Sequence, residues 1–75
     1  MPLHFTLRQL EYFVAVGEAG SIAKAAEQIN VSPPSISASI AQLEKEFGLQ
    51  LFVRKHSHGL SLTPGGRVFF REALK

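Results

Sequence analysis

Hydrophobic residues recur every three to four positions in three separate runs over the first two thirds of the sequence, which is the spacing of amphipathic helices. The first run is Leu7, Leu10, Phe13 and Val14. Thr6 and Gln9 match the capping box, in which each side chain accepts a hydrogen bond from a free backbone N–H. The pattern predicts a first helix from Thr6 to about Val16. Gly17 or Gly20 would end it.

The second run, "IAKAAEQI", predicts a helix over residues 22–29 with Ser21 as its N-cap. Its apolar positions lie on one face and are Ile22, Ala25, Ala26 and Ile29. The two alanines are small, so another helix can approach closely. Residues 30–32 then form a short turn into the next helix.

The third run predicts the longest helix, and its apolar positions form a narrow core-facing stripe: Ile36, Ile40, Leu43 and Phe47. Gly48 supplies the left-handed stop. Ser32 is the expected N-cap, and Pro33 and Pro34 follow it, where backbone N–H groups have no partner within the helix. Because Pro34 disfavours the α conformation at Pro33, the regular helix is expected to begin either after Ser32 or one residue later.

After residue 50 the pattern changes to alternation of apolar and polar positions in "LQLFVR" and again in "LSLT". The segment "KHSHG" joins them, which predicts a β-hairpin with Gly59 near the turn. Thr63 and Pro64 then supply an N-cap and a first helical residue for a fourth helix. No stop signal precedes Lys75, so we expect the chain to end within this helix.

Two helices joined by a turn of three or four residues form a helix-turn-helix unit, and a hairpin that follows it forms a wing. The order of elements therefore predicts a mainly α fold, a winged helix-turn-helix with a three-helix core, a β-hairpin wing and the start of a C-terminal linker helix. We expect the domain to span residues 5–63, with the helix-turn-helix at about 22–41 and the wing at about 51–63. Residues 64–75 would start the linker helix.

Composition and charge narrow the function. The 75 residues contain no cysteine, which excludes a disulfide framework or a thiolate metal site. No apolar run reaches the roughly 20 residues of a membrane span, and the N-terminus lacks the layout of a signal peptide. We therefore expect a soluble, cytoplasmic protein. Residues 1–50 carry three basic and five acidic side chains, net −2, whereas residues 51–75 carry five basic and one acidic, net +4. A basic end on a small domain favours a polyanionic partner.

The side of the third helix that points away from its core stripe is composed of small and polar residues. It carries Pro34, Ala38, Ala41, Gln42 and Lys45, with Ser35 and Ser37 on its flanks. In a helix-turn-helix the second helix lies in the DNA major groove. Alanine methyl groups can contact the thymine methyl and Gln42 can bind adenine, whereas the serines can donate to phosphates or base edges. The alternative is that the outward alanines pack against another protein.

Four fragments in the same order and spacing as in LysR-type transcriptional regulators cover the chain from Leu7 to about Phe70. They are "LRQLEYF", the "GS…AA" entry to the second helix, "SPPSISASIAQLE" and "GLQLFVR…LSLTPGG". The sequence thus strongly resembles the N-terminal DNA-binding domain of this bacterial family. The resemblance implies sequence-specific binding of double-stranded DNA, with the third helix in the major groove and the wing on the minor groove or backbone. It also implies a homodimer through the linker helix, a dimer or tetramer at full length, and a small-molecule effector bound by a C-terminal domain that is absent here.

Taken with the resemblance, the expected DNA contacts on the third helix are Ser32, Pro33, Pro34, Ser35, Ser37, Ala38, Ser39, Ala41 and Gln42. Those at the helix entry and on the wing are Ser21, Lys24, Arg54, Lys55, His56 and His58. The expected dimer contacts are Val68, Phe69, Phe70, Ala73 and Leu74. The family usually has glutamine at the position of Pro33 and often arginine at that of Ala38. DNA recognition here is therefore expected to depend more on shape and methyl contacts. Arg54 has a second interpretation, as a member of a structural ion pair.

Catalysis and metal binding find little support in the sequence. His56 and His58 stand two residues apart, but the chain has no cysteine or aspartate to complete a metal site. No histidine lies near the serines of the third helix to act as a base. We expect no enzyme activity and no cofactor. The competing function is a protein-interaction or dimerisation module without DNA binding.

Overall fold

Four helices and one antiparallel hairpin make up the computed structural model, which describes residues 5–55 and 59–74. The elements are α1 (Leu7–Ala19), α2 (Ile22–Ile29), α3 (Pro33–Phe47), β1 (Phe52–Arg54), β2 (Leu60–Leu62) and α4 (Pro64–Ala73). In the hairpin Phe52 pairs with Leu62 and Arg54 with Leu60. The predicted winged helix-turn-helix is confirmed.

The first helix has both bonds of the predicted capping box: Gln9 N–H donates to Thr6 Oγ1 at 3.1 Å, and Thr6 N–H donates to Gln9 Oε1 at 2.8 Å. The helix continues to Ala19, and Gly20, at φ 81°, ends it in the left-handed conformation. Gly17 lies within the helix instead of ending it. A Cβ at Gly17 would stand 2.8 Å from Cδ1 of the Phe70 ring, so this glycine makes room for α4.

The predicted caps of the next two helices are also present. The Ser21 hydroxyl accepts from Lys24 N–H at 3.0 Å, and α2 ends at Asn30. The third helix begins at Pro33, directly after Ser32, so the alternative of a start one residue later is wrong. The Ser32 cap offsets the cost that Pro34 imposes on the helical conformation of Pro33.

The core lies where α1, α2 and α3 meet the entry to the wing. Its buried residues are Phe13, Ala15, Val16, Ala25, Ala26, Ile36, Ile40, Leu43, Leu51 and Phe52. Six residues of the predicted apolar stripes are not among these: four are half-buried, namely Leu10, Val14, Ile22 and Phe47, and two are exposed. Leu7 is 74% exposed and Ile29 is 36% exposed, because both lie at helix ends.

Aromatic rings attach α4 to the core. The Phe69 ring lies 5.0 Å from that of Phe13 and 4.5 Å from that of Phe47, centroid to centroid. The Phe70 ring lies 5.9 Å from the Phe13 ring. Because Phe47 belongs to this half-buried cluster, it completes the α3 stripe at the edge of the core. The fourth helix is therefore packed against the three-helix unit through Phe69 and Phe70.

The wing is held in place from three sides. Leu60 N–H donates to the carbonyl of Gly20 at 2.8 Å, which joins β2 to the turn between α1 and α2. Thr63 Oγ1 donates to the Gln50 carbonyl at 2.6 Å. At the base, Glu44 Oε2 accepts from Leu51 N–H at 2.7 Å and from Phe52 N–H at 3.3 Å. The wing thus has a fixed position relative to α3.

Replacing Glu44 by alanine is expected to lower the free energy of unfolding by about 2–3 kcal/mol, because it leaves the N–H of the fully buried Leu51 without its charged acceptor. The Glu44→Gln variant keeps an acceptor oxygen and should lose less. Glu27→Ala, on the exposed side of α2, serves as the control and should stay within about 0.5 kcal/mol of the parent. Urea unfolding followed by circular dichroism measures all three. Equal stabilities for Glu44→Ala and Glu27→Ala would contradict the role given to this carboxylate.

None of the described helices has the length and apolarity needed to cross a membrane.

Candidate nucleic-acid interface

One side of α3 is exposed to solvent, and we call it the outward face. Its residues, all exposed, are Pro34, Ser35, Ser37, Ala38, Ala41, Gln42 and Lys45. The opposite side carries Ile36, Ile40 and Leu43, which are buried. The orientation predicted for this helix is confirmed. A helix that is exposed along 12 residues has the shape needed to enter the DNA major groove, which is about 12 Å wide.

The residues at the N-terminus of α3 are mostly exposed, and their polar groups are bonded to one another. Ser32 Oγ and Ser35 Oγ lie 2.8 Å apart in a hydrogen bond, and Ser32 Oγ also accepts from Ser35 N–H at 3.4 Å. Pro33 is exposed beside them, whereas Ser39, one turn further on, is half-buried. Of the nine predicted contact residues on this helix, Ser39 is the one with restricted access.

The entry to α2 directly follows Gly20, whose carbonyl accepts the hydrogen bond from the wing residue Leu60. Ser21 is half-buried and its hydroxyl caps the helix, whereas Lys24 is exposed. Both residues were predicted as DNA contacts. Lys24 has the accessibility that a phosphate contact needs.

The wing carries positive charge on its first strand and just beyond it. Arg54 ends β1 and Lys55 follows it, and both are exposed. Lys55 N–H donates to the Gly59 carbonyl at 3.0 Å, so the strands stay paired up to the wing tip. His56 and His58, also predicted as contacts, lie outside the described residues.

The residues predicted for dimerisation have two different environments. Val68 and Leu74 are 53% and 52% exposed, and Ala73 is half-buried. Phe69 and Phe70 are half-buried because their rings pack on α1 and α3 of the same chain. Dimerisation through these five residues stays a prediction.

An apolar groove that the sequence did not indicate lies between α1 and the end of α4. It is lined by Leu7, Leu10, Val14, Ile29, Ala73 and Leu74, with Glu11 and Glu18 among its walls. The exposed Leu7 was assigned to the core because its spacing matches the α1 stripe. Only the packing of the first turn of α1 beside α4 reveals its position.

No group of three or more histidine, cysteine, aspartate or glutamate side chains able to hold a metal ion occurs within 5–55 and 59–74.

Three comparisons with known proteins agree on the family that the chain resembles. Residues 7–67 match the family model described as bacterial regulatory helix-turn-helix protein, lysR family. The chain is 43% identical over 67 residues to the HTH-type transcriptional regulator TfdT of Cupriavidus pinatubonensis (strain JMP 134 / LMG 1197), covering 89% of this chain and 29% of TfdT. It is 44% identical over 69 residues to the HTH-type transcriptional regulator BenM of Acinetobacter baylyi (strain ATCC 33305 / BD413 / ADP1), covering 92% of this chain and 22% of BenM.

Among solved structures, the complex of the CbnR DNA-binding domain with DNA superposes with a TM-score of 0.88 at 41% identity, over 93% of this chain and 79% of that one. The complex of the BenM DNA-binding domain with benA site 1 DNA gives a TM-score of 0.87 at 41% identity, over 93% and 80%. The chain therefore spans most of these isolated domains but under a third of the length of TfdT and BenM.

Proposed function

The chain belongs to the LysR family of bacterial regulatory helix-turn-helix proteins, and on that premise we propose that it binds double-stranded DNA sequence-specifically as part of a transcriptional regulator. The observation that carries the proposal is the outward face of α3, exposed and opposite a fully packed core stripe. Two relatives of the same fold, at 41% identity, have structures bound to DNA.

Each part of the domain has a distinct task in this proposal. The third helix lies in the major groove and brings the outward face to the base edges. Ser21 and Lys24, at the entry to α2, contact the backbone of one strand. The wing, with Arg54 and Lys55, contacts the adjacent minor groove or its phosphates. The hydrogen bonds from Leu60 to Gly20 and from Leu51 to Glu44 keep these three contact regions at fixed separations.

The remaining proposals concern the whole regulator. The chain acts as a homodimer in which the exposed Val68 and Leu74 of α4 meet a second copy, so that two α3 helices contact two half-sites. Residues 5–63 form the DNA-binding domain and residues 64–75 begin the linker helix. A further domain binds a small-molecule effector. The protein is cytoplasmic, uses no cofactor for DNA binding and has no enzyme activity, in keeping with relatives that are transcriptional regulators.

A duplex-binding titration at several salt concentrations tests the proposal. Each phosphate neutralised by a lysine or arginine contributes about −0.9 to the slope of log K against log salt for B-form DNA. Contacts from Lys24, Arg54 and Lys55 alone predict a slope of about −3 per domain. Fluorescence anisotropy of a labelled duplex between low and physiological salt gives the slope.

A slope near zero, or no binding at any salt concentration, would overturn the proposal. The competing function, a protein-interaction module, predicts that outcome. It further predicts that light scattering detects self-association that Ala38→Glu weakens, because the outward alanines would then form a protein contact.

A further inference from the structure

The outward face of α3 has an apolar centre. Pro34, Ala38 and Ala41 follow one another at i, i+4 and i+7, so they share one line along the helix, and all three are exposed. The line is about 10 Å long at 1.5 Å per residue. Three consecutive base pairs, at about 3.4 Å each, cover the same length.

Few hydrogen-bond donors stand around this line. The whole of α3 is described, and its first turn offers no free backbone N–H after Ser32. Pro33 and Pro34 have none, Ser35 N–H is bonded to Ser32 Oγ, and Ile36 N–H donates to the Ser32 carbonyl at 3.3 Å. A backbone N–H of this helix end could therefore donate to a base or a phosphate only after the cap breaks.

The side chains restrict the donors further. The Ser32 and Ser35 hydroxyls share one hydrogen bond, which leaves one of their two O–H groups to donate outward, and Ser39 is half-buried. Within α3, the polar side chains of the outward face that have no intrachain hydrogen bond are Ser37, Gln42 and Lys45. Ser37 and Gln42 flank the apolar line on opposite sides, and Lys45 lies at its C-terminal end.

The major groove displays one apolar group, the C5-methyl of thymine. Resting on the proposed DNA binding, we propose that Pro34, Ala38 and Ala41 determine specificity by contacting thymine methyl groups within about three to four consecutive base pairs of each half-site. Gln42 supplies the hydrogen bonds, for which adenine N6 and N7 are the matching partners. The preferred half-site is thus rich in A·T pairs, and the methyl groups contribute to binding independently of base pairing.

Replacing thymidine by deoxyuridine tests the contribution of the methyl group alone, since deoxyuridine pairs with adenine in the same way but lacks the C5-methyl. A duplex chosen by selection from a random pool is synthesised with each thymine replaced in turn by deoxyuridine. Burial of one methyl contributes about fourfold in affinity, so two or three neighbouring positions in each half-site should each weaken binding about fourfold. All other positions should change little.

A second set of measurements, on protein variants, tests which residue contacts the thymine methyl group. Ala38→Gly removes the protein methyl, and the effect of deoxyuridine at one of the sensitive positions should then fall from about fourfold towards none. Ala23→Gly is the matched control, because Ala23 is also an exposed helical alanine but lies in α2. It should leave the deoxyuridine effect unchanged. Thermal melting of both variants confirms that they are folded.

The outcomes are distinguishable. Tight binding to the selected duplex with no loss at any deoxyuridine position overturns the methyl inference and leaves the proposed DNA binding intact. Loss at deoxyuridine that Ala38→Gly, Pro34→Ala and Ala41→Gly all leave unchanged also overturns it, because other residues would make the contact. Failure of the pool to yield any bound duplex overturns the proposed function and the inference together.

Discussion

Replacing Ala38 by glutamate is expected to abolish specific DNA binding, with a loss of about a hundredfold or more, and to leave the stability of the domain nearly unchanged. Ala38 lies at the centre of the outward face and is exposed, so the new side chain meets no core atom. In the groove it would place an unpaired carboxylate among base acceptors and phosphates, where like-charge contact costs several kcal/mol. Fluorescence anisotropy with the selected duplex measures the loss.

The control for Ala38→Glu is Gln9→Glu, which adds the same charge on α1. Gln9 accepts the Thr6 N–H in the capping box, and glutamate is an equally good partner there. Its binding should fall only slightly, through long-range repulsion. The unfolding free energy of Ala38→Glu should stay within about 0.5 kcal/mol of the parent. A large loss of stability would show that Ala38 faces the core, and equal binding by both variants would show that α3 is not the DNA contact.

Replacing Ile40 by aspartate is expected to unfold the domain. Ile40 is 7% exposed and packs in the α3 stripe between Ile36 and Leu43. Aspartate there would leave a cavity and bury a charge without a partner. A domain of this size has a total stability of roughly 4–11 kcal/mol, which a change of 4–5 kcal/mol or more largely removes. Circular dichroism should show loss of helix and no cooperative melting transition.

Ala41→Asp places the same side chain one residue further along the same helix, on the outward face. The variant should fold and melt within a few degrees of the parent. A folded Ile40→Asp variant, or an unfolded Ala41→Asp variant, would contradict the assignment of the two sides of α3.

The sequence predicts the parts of this fold that depend on neighbouring residues. All four predicted caps are present, at Thr6, Ser21, Ser32 and Thr63. In each one the side-chain oxygen accepts a hydrogen bond from the backbone N–H three residues further along the chain. The core stripe of α3 follows from helical spacing alone. Local rules are sufficient for both because their geometry is fixed by the helix itself.

Features that depend on distant residues were not predicted. Gly17 was a candidate helix stop, but its neighbour is the Phe70 ring, which arrives from α4 only when the chain is folded. The helical pattern does not indicate the role of Glu44, since the backbone N–H groups that donate to it, at residues 51 and 52, belong to the next segment. Gly66 is similar: a Cβ there would stand 3.0 Å from the carbonyl carbon of Leu51. In each case tertiary packing gives the residue its role.

The candidate site shows the same division. The sequence predicts which residues of α3 face outward, because the apolar stripe identifies the core side and the outward residues lie opposite it. It does not show that the Ser32 and Ser35 hydroxyls are bonded to each other, which restricts hydrogen bonding to bases and increases the relative contribution of Pro34, Ala38 and Ala41. Dimerisation through α4 and the role of the wing tip stay predictions, and His56 and His58 lie outside the described residues.

The most direct test of sequence-specific DNA binding through the outward face of α3 begins with selection of bound duplexes from a random pool. The dissociation constant of the selected duplex is then compared with that of a shuffled duplex at physiological salt. We expect one enriched motif, bound about a thousandfold or more tightly than its shuffled counterpart by the parent chain, with the preference lost in Ala38→Glu. Equal affinity for the selected and shuffled duplexes, or an unchanged preference in Ala38→Glu, would contradict it.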